Sequence, residues 1–193
     1  MGRIYTVMGK SATGKDTVYR RLLERFHDRF RKVVLYTTRP IRAGEQNGVE
    51  YYFVTIPQME EMKAAGKILE IRMYNTVYGP WYYFTANDGQ INLDESDYMM
   101  ITTLAGYESI RDHFGTENVI PIYTEIDNYT RLHRAVEREG RQKVPNFSEV
   151  CRRYLADEED FSESELQRLG VNKRFINDDL DRCLEEIGEW ISK

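Results

Sequence analysis

A glycine-containing loop near the start of the chain constrains its fold more than any other feature. Gly9 to Thr17 reads G-K-S-A-T-G-K-D-T and matches the pattern G-x-x-x-x-G-K. The alternating, partly β-branched segment Arg3 to Met8 precedes the loop and predicts a strand. Apolar residues at the four-residue spacing of a helix follow the loop: Val18, Leu22, Phe26 and Phe30. The order strand, loop, helix therefore predicts an α/β fold in which the loop opens a helix.

The loop has the composition of a phosphate-binding loop. Its backbone N–H groups can point at phosphate oxygens, and the following helix adds the positive end of its dipole. Lys15, directly after the second glycine, can bridge the β- and γ-phosphates of a nucleotide, and an ordinary glycine-rich turn leaves this lysine unexplained. The candidate phosphate-binding residues are Gly9, Lys10, Ser11, Ala12, Thr13, Gly14, Lys15, Asp16 and Thr17.

Asp16 departs from the usual motif, which has a Ser or Thr that contacts Mg²⁺ at this position. A carboxylate is a hard oxygen ligand and is favourable at a helix N-terminus, but it repels phosphate unless a cation lies between them. We therefore predict that Mg²⁺ or a metal-bound water lies against Asp16 or Thr17. The alternative is an aspartate that serves only the helix dipole.

The pattern after the loop predicts a sheet with parallel strands and flanking helices. One helix is expected from about Ala105 to Phe114, ended by Gly115, and a C-terminal helix is expected to begin at Asn177 or Asp178. The predicted core strands after the loop are Lys32 to Thr37, Tyr98 to Thr103, Val119 to Tyr123 and Arg174 to Ile176.

The stretch between the second and third core strands is rich in aromatic residues. Tyr51 to Val54 and Trp81 to Phe84 predict strands, and a short helix ends near Gly66. Turns are expected at Asn47-Gly48 and Asp88-Gly89. We interpret this stretch as an inserted antiparallel subdomain.

The charged segment 129–169 is predicted to form a mobile flap of two helices, interrupted at Gly140 and Pro145. Three arginines recur at helical spacing within it: Arg134, Arg138 and Arg141. Such a group repels itself unless anions compensate it. The alternative is an exposed helix whose arginines pair with Glu137 and Glu139.

A second pair of arginines follows the second predicted strand. Arg39 and Arg42 are three residues apart and are followed by a turn and an aromatic strand. Their forked donors suit a phosphate, although taken alone they could equally pair with Glu45 and Glu50 at the surface. Combined with the phosphate-binding loop, they indicate a second anion site.

Composition excludes several other classes of protein. The chain has 27 Lys and Arg against 32 Asp and Glu, and its net charge of −5 argues against a general nucleic-acid coat. No apolar run approaches the roughly 18 residues of a transmembrane helix, and residues 1–8 show neither the extended apolar region nor the small-residue cleavage site typical of a signal peptide. Cys151 and Cys183 lack metal-ligand spacing. We expect a cytoplasmic protein, monomeric or homodimeric, without a metal cage, a nucleic-acid partner or a membrane partner.

Taken in order, these motifs resemble the guanylate kinase family over nearly the whole chain. The phosphate-binding loop of the family corresponds to Gly9 to Thr17. Its signature T-T-R-x-x-R-x-G-E-x-x-G-x-x-Y-x-F is met from Thr37 to Phe53. The Tyr-Gly pair of the acceptor site recurs at Tyr78-Gly79, and Glu70 falls at the place of the guanine-facing glutamate.

Two further matches lie in the second half of the chain. The closing N-D-D-L of the family stands from Asn177 to Leu180, before the last predicted helix. The arginines of the family's lid map to Arg134, Arg138 and Arg153.

The resemblance implies a P-loop nucleoside-monophosphate-kinase fold. Its parts are a parallel sheet flanked by helices, an inserted antiparallel acceptor-binding subdomain and a helical lid. The chain would divide into a core (1–36, 98–128 and 170–193), an acceptor-binding subdomain (37–97) and a lid (129–169). The implied activity is phosphoryl transfer to GMP or dGMP, with ATP as co-substrate and Mg²⁺ as cofactor.

The resemblance also implies roles for individual residues. The catalytic group would comprise Lys15, Arg42, Arg134, Arg138 and Arg153. Asn177 would join the phosphate-binding loop in the ATP site. The acceptor site would comprise Arg39, Arg42, Tyr51, Glu70, Tyr78, Gly79 and Thr103. Such a set is chemically sufficient, because phosphoryl transfer needs aligned phosphates, neutralised charge and excluded water.

Two departures from the family concern the acceptor base. Pro80 follows Tyr78-Gly79, where the family normally has Ser or Thr, and Ile101-Thr102-Thr103 replaces a D-x-D strand end. A threonine hydroxyl can accept from a guanine N–H but lacks the charge that strengthens the bond. Glu70 is then the one clear carboxylate expected to face the base.

Two other functions stay open on the sequence. The acceptor could be another nucleoside monophosphate or a ribose phosphate, since ribose bisphosphokinase relatives also have Asp after the loop lysine. A non-catalytic domain that binds phosphopeptides is the second alternative, although such scaffolds usually have degraded phosphate-binding loops.

Overall fold

A computed structural model of the protein describes residues 1–76 and 79–192. Its strands are β1 (Ile4–Met8), β2 (Phe30–Lys32), β3 (Tyr36–Thr37), β4 (Tyr52–Phe53), β5 (Ile68–Thr76), β6 (Gly79–Ala86), β7 (Asp97–Ile101), β8 (Val119–Glu125) and β9 (Arg174–Ile176). Its helices are α1 (Lys15–Arg25), α2 (Ile56–Ala64), α3 (Leu104–Phe114), α4 (Asn128–Gly140), α5 (Phe147–Asp160), α6 (Glu163–Arg168) and α7 (Leu180–Ile191).

The main sheet is parallel and has the order β2-β7-β1-β8-β9. β1 is the central strand of this sheet, and all of its residues are buried. Its side chains alternate between two hydrophobic clusters, one on each face of the sheet. Ile4 and Met8 pack on the side of α3, whereas Tyr5 and Val7 pack on the side of α1 and α7. The predicted α/β class, with helices on both faces of a parallel sheet, is confirmed.

The second sheet has the order β4-β3-β6-β5. It is mixed, because β3 pairs with β4 in parallel while β6 pairs with β3 and β5 in antiparallel fashion. One face of this sheet packs on α2, where Met59, Phe84 and Ala86 form a small buried cluster. The other face is left for the candidate site.

Two boundaries near the first helix differ from the sequence prediction. The helix after the loop ends at Arg25, and Phe30 opens β2 instead of extending the helix. Phe30 packs edge-on against Tyr5, with 5.0 Å between the ring centroids, so its burial is achieved from a strand. The predicted strand Lys32 to Thr37 is divided into the end of β2 and all of β3, which belong to different sheets.

The charged segment contains three helices, so the predicted flap of two helices is wrong in number. α4 ends at Gly140, α5 begins after Asn146, and the short α6 follows in 163–168. The last helix begins at Leu180, and its N-cap, Asp179, lies one residue after Asp178 and two after Asn177, the two predicted starts. Among the helices of the described ranges, none is both long and apolar enough to cross a membrane.

Candidate active site

The phosphate-binding loop leaves β1 after Met8 and ends where α1 begins at Lys15. Ala12 and Gly14 adopt the left-handed conformation, with φ of 65° and 84°. Asn177 approaches Gly14 closely, because a Cβ there would lie 2.4 Å from the side-chain amide nitrogen of Asn177. Backbone conformation and available space therefore both require glycine at position 14.

Hydrogen bonds from other elements fix the shape of the loop. Asn177 Nδ2 donates to the carbonyl oxygen of Thr13 at 2.7 Å. The Thr13 hydroxyl donates to the carbonyl oxygen of Lys10 at 2.9 Å and lies 3.2 Å from Thr124 Oγ1 at the end of β8. Asn177, which is predicted to belong to the ATP site, thus contacts the backbone of the phosphate-binding loop.

The side chains that open α1 differ in exposure. Lys15 Nζ lies 3.6 Å from Asp16 Oδ2, and these side chains are 23% and 82% exposed. Thr17 is partly buried at the next position. The Asp16 carboxylate is therefore open to a cation, and it stands beside the lysine that is predicted to hold phosphate.

Two carboxylates of α5 contact the phosphate-binding loop. The backbone N–H of Ser11 donates to Asp157 Oδ2 at 2.7 Å. Lys10 Nζ lies 3.0 Å from Glu158 Oε1. Arg131 of α4 binds both carboxylates, with Nη1 3.3 Å from Asp157 and Nη2 in contact with Glu158. Helix α5 thus contacts the loop directly, and one of its carboxylates accepts from an N–H group suited to phosphate.

Arg131 is the most deeply buried charged side chain at this contact, with 1% of its side chain exposed. Its guanidinium carbon lies 4.0 Å from the centroid of the Tyr154 ring, which adds a cation–π contact. The buried face of α4 comprises Arg131 and Ala135, one helical turn apart. Arg131 therefore links α4, α5 and the loop.

The predicted lid arginines lie in two places. Arg138 and Arg153 line a cavity of about 140 Å³ together with Ser11 of the phosphate-binding loop. Arg134 of α4 extends toward the end of β9, where its Nη1 donates to the carbonyl oxygen of Asn177 at 3.4 Å. Arg138 and Arg153 therefore lie near the phosphate-binding loop, and Arg134 contacts Asn177, which binds that loop.

Glu149 lowers the positive charge at this cavity. Its carboxylate accepts hydrogen bonds from Arg152 Nε and Arg153 Nε, both at 2.8 Å. The bonds from Arg152 and Arg153 outweigh the effect of burial and lower the pKa of Glu149 to about 2. Arg138 makes no hydrogen bond with any residue in the described part of the chain, so it is the less constrained cation of this cavity.

On the acceptor side, Arg39 is buried and its guanidinium is held by a carboxylate. Nη1 and Nη2 of Arg39 donate to Glu45, each at 2.8 Å. This pair, with a backbone N–H from Arg42 at 2.8 Å, lowers the pKa of Glu45 to about 2. The Tyr51 ring lies 5.4 Å from the guanidinium of Arg39, and burial raises the pKa of Tyr51.

The arrangement resolves the alternatives for the two arginines only in part. Arg39 does pair with Glu45, but its guanidinium is buried while the Glu45 carboxylate is partly exposed. Glu50 accepts from the backbone N–H of Gln46 instead. The Arg42 side chain is exposed. A carboxylate therefore lies on the forked donors where a phosphate is predicted.

Glu70 lies on β5 with two donors on its carboxylate. The Thr85 hydroxyl donates to Oε1 at 2.8 Å, and Arg72 Nη2 donates to the same oxygen at 3.2 Å. Arg72 Nε lies 3.1 Å from Oε2, and the side chains of Glu70 and Arg72 are 4% and 23% exposed. The carboxylate is therefore buried but compensated.

The remaining acceptor candidates are placed as follows. Gly79 opens β6, and its carbonyl oxygen accepts from the Thr76 hydroxyl at 2.7 Å. Tyr78 lies outside the described residues. Thr103 is the N-cap of α3, where its hydroxyl accepts from the Gly106 N–H at 3.1 Å. The structure thus gives Thr103 a role in helix capping.

A sequence model described as guanylate kinase matches residues 1–193. The chain belongs to the guanylate kinase family. A guanylate kinase of Nostoc sp. is 28% identical over 188 residues, which cover 96% of this chain and 87% of that protein. A guanylate kinase of Porphyromonas gingivalis is 27% identical over 196 residues, which cover 100% of this chain and 98% of that protein. The predicted family is confirmed.

The fold is also similar to a solved guanylate kinase structure. The crystal structure of guanylate kinase from Anaplasma phagocytophilum superimposes with a TM-score of 0.61 at 21% identity. The match covers 99% of this chain and 85% of that one. At this identity the likeness bears on the fold alone.

Several residues of this guanylate kinase family member at the site were missed by the sequence analysis: Arg72, Thr85, Arg131, Asp157 and Glu158. A signal existed for Arg72, because residues two apart on a strand share a face and Glu70 had been singled out. Pairing Thr85 with Glu70 needs the strand register, and the α5 carboxylates contact a loop more than 140 residues earlier. No local pattern indicates such contacts.

Proposed function

We propose that this protein transfers the γ-phosphoryl group of ATP to the phosphate of GMP or dGMP. The observation that carries the proposal is the cavity shared by Ser11 of the phosphate-binding loop with Arg138 and Arg153 of the lid. Phosphoryl transfer requires a donor cradle faced by mobile positive charge, and little covalent chemistry from the protein. The names of the curated relatives support the same activity.

On the donor side, the loop N–H groups and the N-terminus of α1 would hold the phosphates of ATP. Lys15 would contact the β- and γ-phosphates, and Asn177 would keep the loop in shape through its bond to Thr13. Arg138 and Arg153 would neutralise the charge of the transferring group. In the closed lid this role requires Asp157 to leave the Ser11 N–H, because phosphate needs the same donor.

On the acceptor side, Arg39 and Tyr51 would hold the phosphate of GMP, with Arg42 and Tyr78 assisting. The two forked N–H groups of Arg39 are pre-aligned, because Glu45 already engages both of them. A phosphate dianion brings more charge than the carboxylate and can replace or share it. Glu70 would accept from the N1–H and N2–H groups of guanine.

The donor set at the start of α1 fits Mg²⁺ held mostly by substrate. Within residues 1–76 and 79–192, no group of three or more His, Cys, Asp or Glu could hold a metal ion. Mg²⁺ usually takes one or two protein oxygens and completes its shell with phosphates and waters. Asp16 and Thr17 would supply those oxygens, and the ion would neutralise charge on the β- and γ-phosphates.

We expect Asp16→Asn to change the dependence of turnover on Mg²⁺. The amide retains an oxygen but loses the charge that favours a divalent cation, so half-saturation should require about 10-fold more Mg²⁺. The measurement is initial rate against free Mg²⁺ at saturating ATP. Asp28→Asn, on an exposed turn, is the matched control. If the dependence of the rate on free Mg²⁺ were unchanged, Asp16 would not bind the metal and would serve only to stabilise the start of α1 through the helix dipole.

The division into parts is proposed on the same grounds. Residues 1–36, 98–128 and 170–193 would form the core, 37–97 the acceptor-binding subdomain, and 129–169 the lid. The second sheet supports the acceptor part, and helices α4 to α6 support the lid. The contacts of α5 with the phosphate-binding loop support closure of the lid over the donor site.

The direct test is ADP release with Mg-ATP and a panel of acceptors. The panel comprises GMP, dGMP, AMP, CMP, UMP, dTMP and ribose 1,5-bisphosphate, and the Lys15→Ala variant gives the background. We expect GMP and dGMP to be used at least about 100-fold better than the others, because only guanine offers Glu70 two adjacent donors. Turnover with another acceptor alone would reassign the substrate. ATP binding without turnover would favour a non-catalytic phospho-ligand domain.

A further inference from the structure

We propose that Arg72 reads the O6 atom of the acceptor base, so that Glu70 and Arg72 act together as a guanine-selective pair. This inference rests on the proposed function. Glu70 and Arg72 stand two residues apart on β5 and pair across the strands with Thr85 and Tyr83 of β6. Their side chains therefore share one face of the second sheet.

This face is turned toward the phosphate-holding residues. Tyr83 packs against Tyr51, with 5.6 Å between ring centroids. The pKa of Tyr51 is raised by burial, and the charges of Arg39 and Arg72 oppose that rise while Asp16 of the phosphate-binding loop adds to it. Arg72 is paired across the strands with Tyr83, which contacts Tyr51, and its guanidinium is bound to Glu70. It therefore lies near both the predicted base-facing carboxylate and the residues predicted to hold the acceptor phosphate.

The ion pair presents an acceptor next to a donor. Thr85 and Arg72 occupy Glu70 Oε1, and Arg72 Nε lies beside Oε2. Guanine offers the complementary order along its edge, a donor at N1 and an acceptor at O6, whereas adenine has an acceptor at N1 and a donor at N6. When the N1–H and N2–H groups of guanine bind the carboxylate, Arg72 can release one of its hydrogen bonds to Glu70 and donate that N–H to O6.

A second observation supports a donor at this place. The position after Gly79 is Pro80, which has no side-chain donor and pairs with Asn75 at the far end of β5. Thr103 is engaged in capping α3. A buried carboxylate alone would distinguish bases by their N–H groups only. Arg72 adds a group that rejects a 6-amino base, because two donors would then face each other.

The test compares GMP with analogues that change one edge at a time. 6-Thio-GMP keeps N1–H and N2–H but has a weak acceptor at position 6, whereas IMP keeps O6 and lacks the 2-amino group. We expect the wild-type protein to prefer GMP to 6-thio-GMP by about 10-fold in kcat/KM. Arg72→Met should bring this ratio within about 2-fold and leave the GMP to IMP ratio within about 2-fold of wild type.

Three further variants separate the outcomes. Glu70→Gln should change mainly the GMP to IMP ratio, Arg72→Lys should retain part of the 6-thio-GMP discrimination, and Arg31→Met is the matched surface control. Binding of the same nucleotides is measured by calorimetry, so the comparison does not depend on turnover. If Arg72→Met lowered kcat/KM equally for all acceptors, Arg72 would bind the acceptor phosphate and not the base. If only the GMP to IMP ratio changed, Arg72 would act by positioning Glu70. Either result overturns the proposal.

These results are distinguishable from failure of the proposed function. If the wild-type protein neither binds nor phosphorylates GMP, the activity itself is wrong and the inference falls with it. If GMP is used but Arg72→Met leaves the 6-thio-GMP ratio unchanged, only the inference is wrong. Thermal unfolding of each variant shows whether a loss reflects folding.

Discussion

Lys15→Ala is expected to lower kcat by about 10²–10³-fold, the usual effect of removing one charged group that stabilises a transition state. Lys15 is the first residue of α1 and follows a loop that is held at Thr13, where Asn177 binds the carbonyl oxygen and Thr124 the hydroxyl. Its ammonium contacts Asp16 at 3.6 Å. Since this contact is weak and largely exposed on the Asp16 side, the free energy of unfolding should change by less than about 0.5 kcal/mol.

The measurement is single-turnover phosphoryl transfer at saturating ATP and GMP, combined with urea unfolding. Lys15→Met keeps the aliphatic length and should lose as much activity as the alanine variant. Lys63→Ala removes an exposed lysine from the last turn of α2 and serves as the matched control. If Lys15→Ala retained more than about one third of the wild-type kcat, Lys15 would not stabilise the transition state.

The parts of the molecule that follow local rules were predictable from the sequence. The phosphate-binding loop needs a strand before it, a helix after it and glycine at position 14, and all three conditions can be read from residues 3–22. The positive φ of Ala12 has no such signal in the sequence. The parallel sheet follows from the alternation of strands and helices. The boundary at Phe30 was missed because four-residue spacing continued past Arg25, although the chain turns at Phe26 and buries Phe30 from a strand.

The electrostatic contacts of the site were less predictable, because they join distant parts of the chain. The helical spacing of Arg134 and Arg138 indicates a charged face, whereas Arg131 lies on the buried face of the same helix. A charged residue at a core position contradicts the usual hydrophobic pattern, and only its partners explain it. Those partners, Asp157 and Glu158, come from the next helix and also contact the phosphate-binding loop.

Arg131→Met is expected to lower the free energy of unfolding by about 3 kcal/mol. The substitution keeps most of the apolar volume but removes the cation between two carboxylates, whose side chains are 16% and 35% exposed. Lys10 and the Ser11 N–H compensate them only in part. The cost is set below the upper limit for a fully buried pair because both carboxylates retain some contact with solvent. Urea unfolding measured at neutral pH tests the value.

The charge explanation predicts a recovery that a packing explanation does not. In the Arg131→Met background, Asp157→Asn together with Glu158→Gln removes the uncompensated charges, so about half of the lost free energy should return. Arg134→Met, on the same helix, has a single long contact with a carbonyl oxygen and should cost less than about 1 kcal/mol. Equal stability of Arg131→Met and Arg134→Met would contradict this explanation. It would mean that the contact of Arg131 with the α5 carboxylates, and through them with the phosphate-binding loop, contributes little to the folded state in solution.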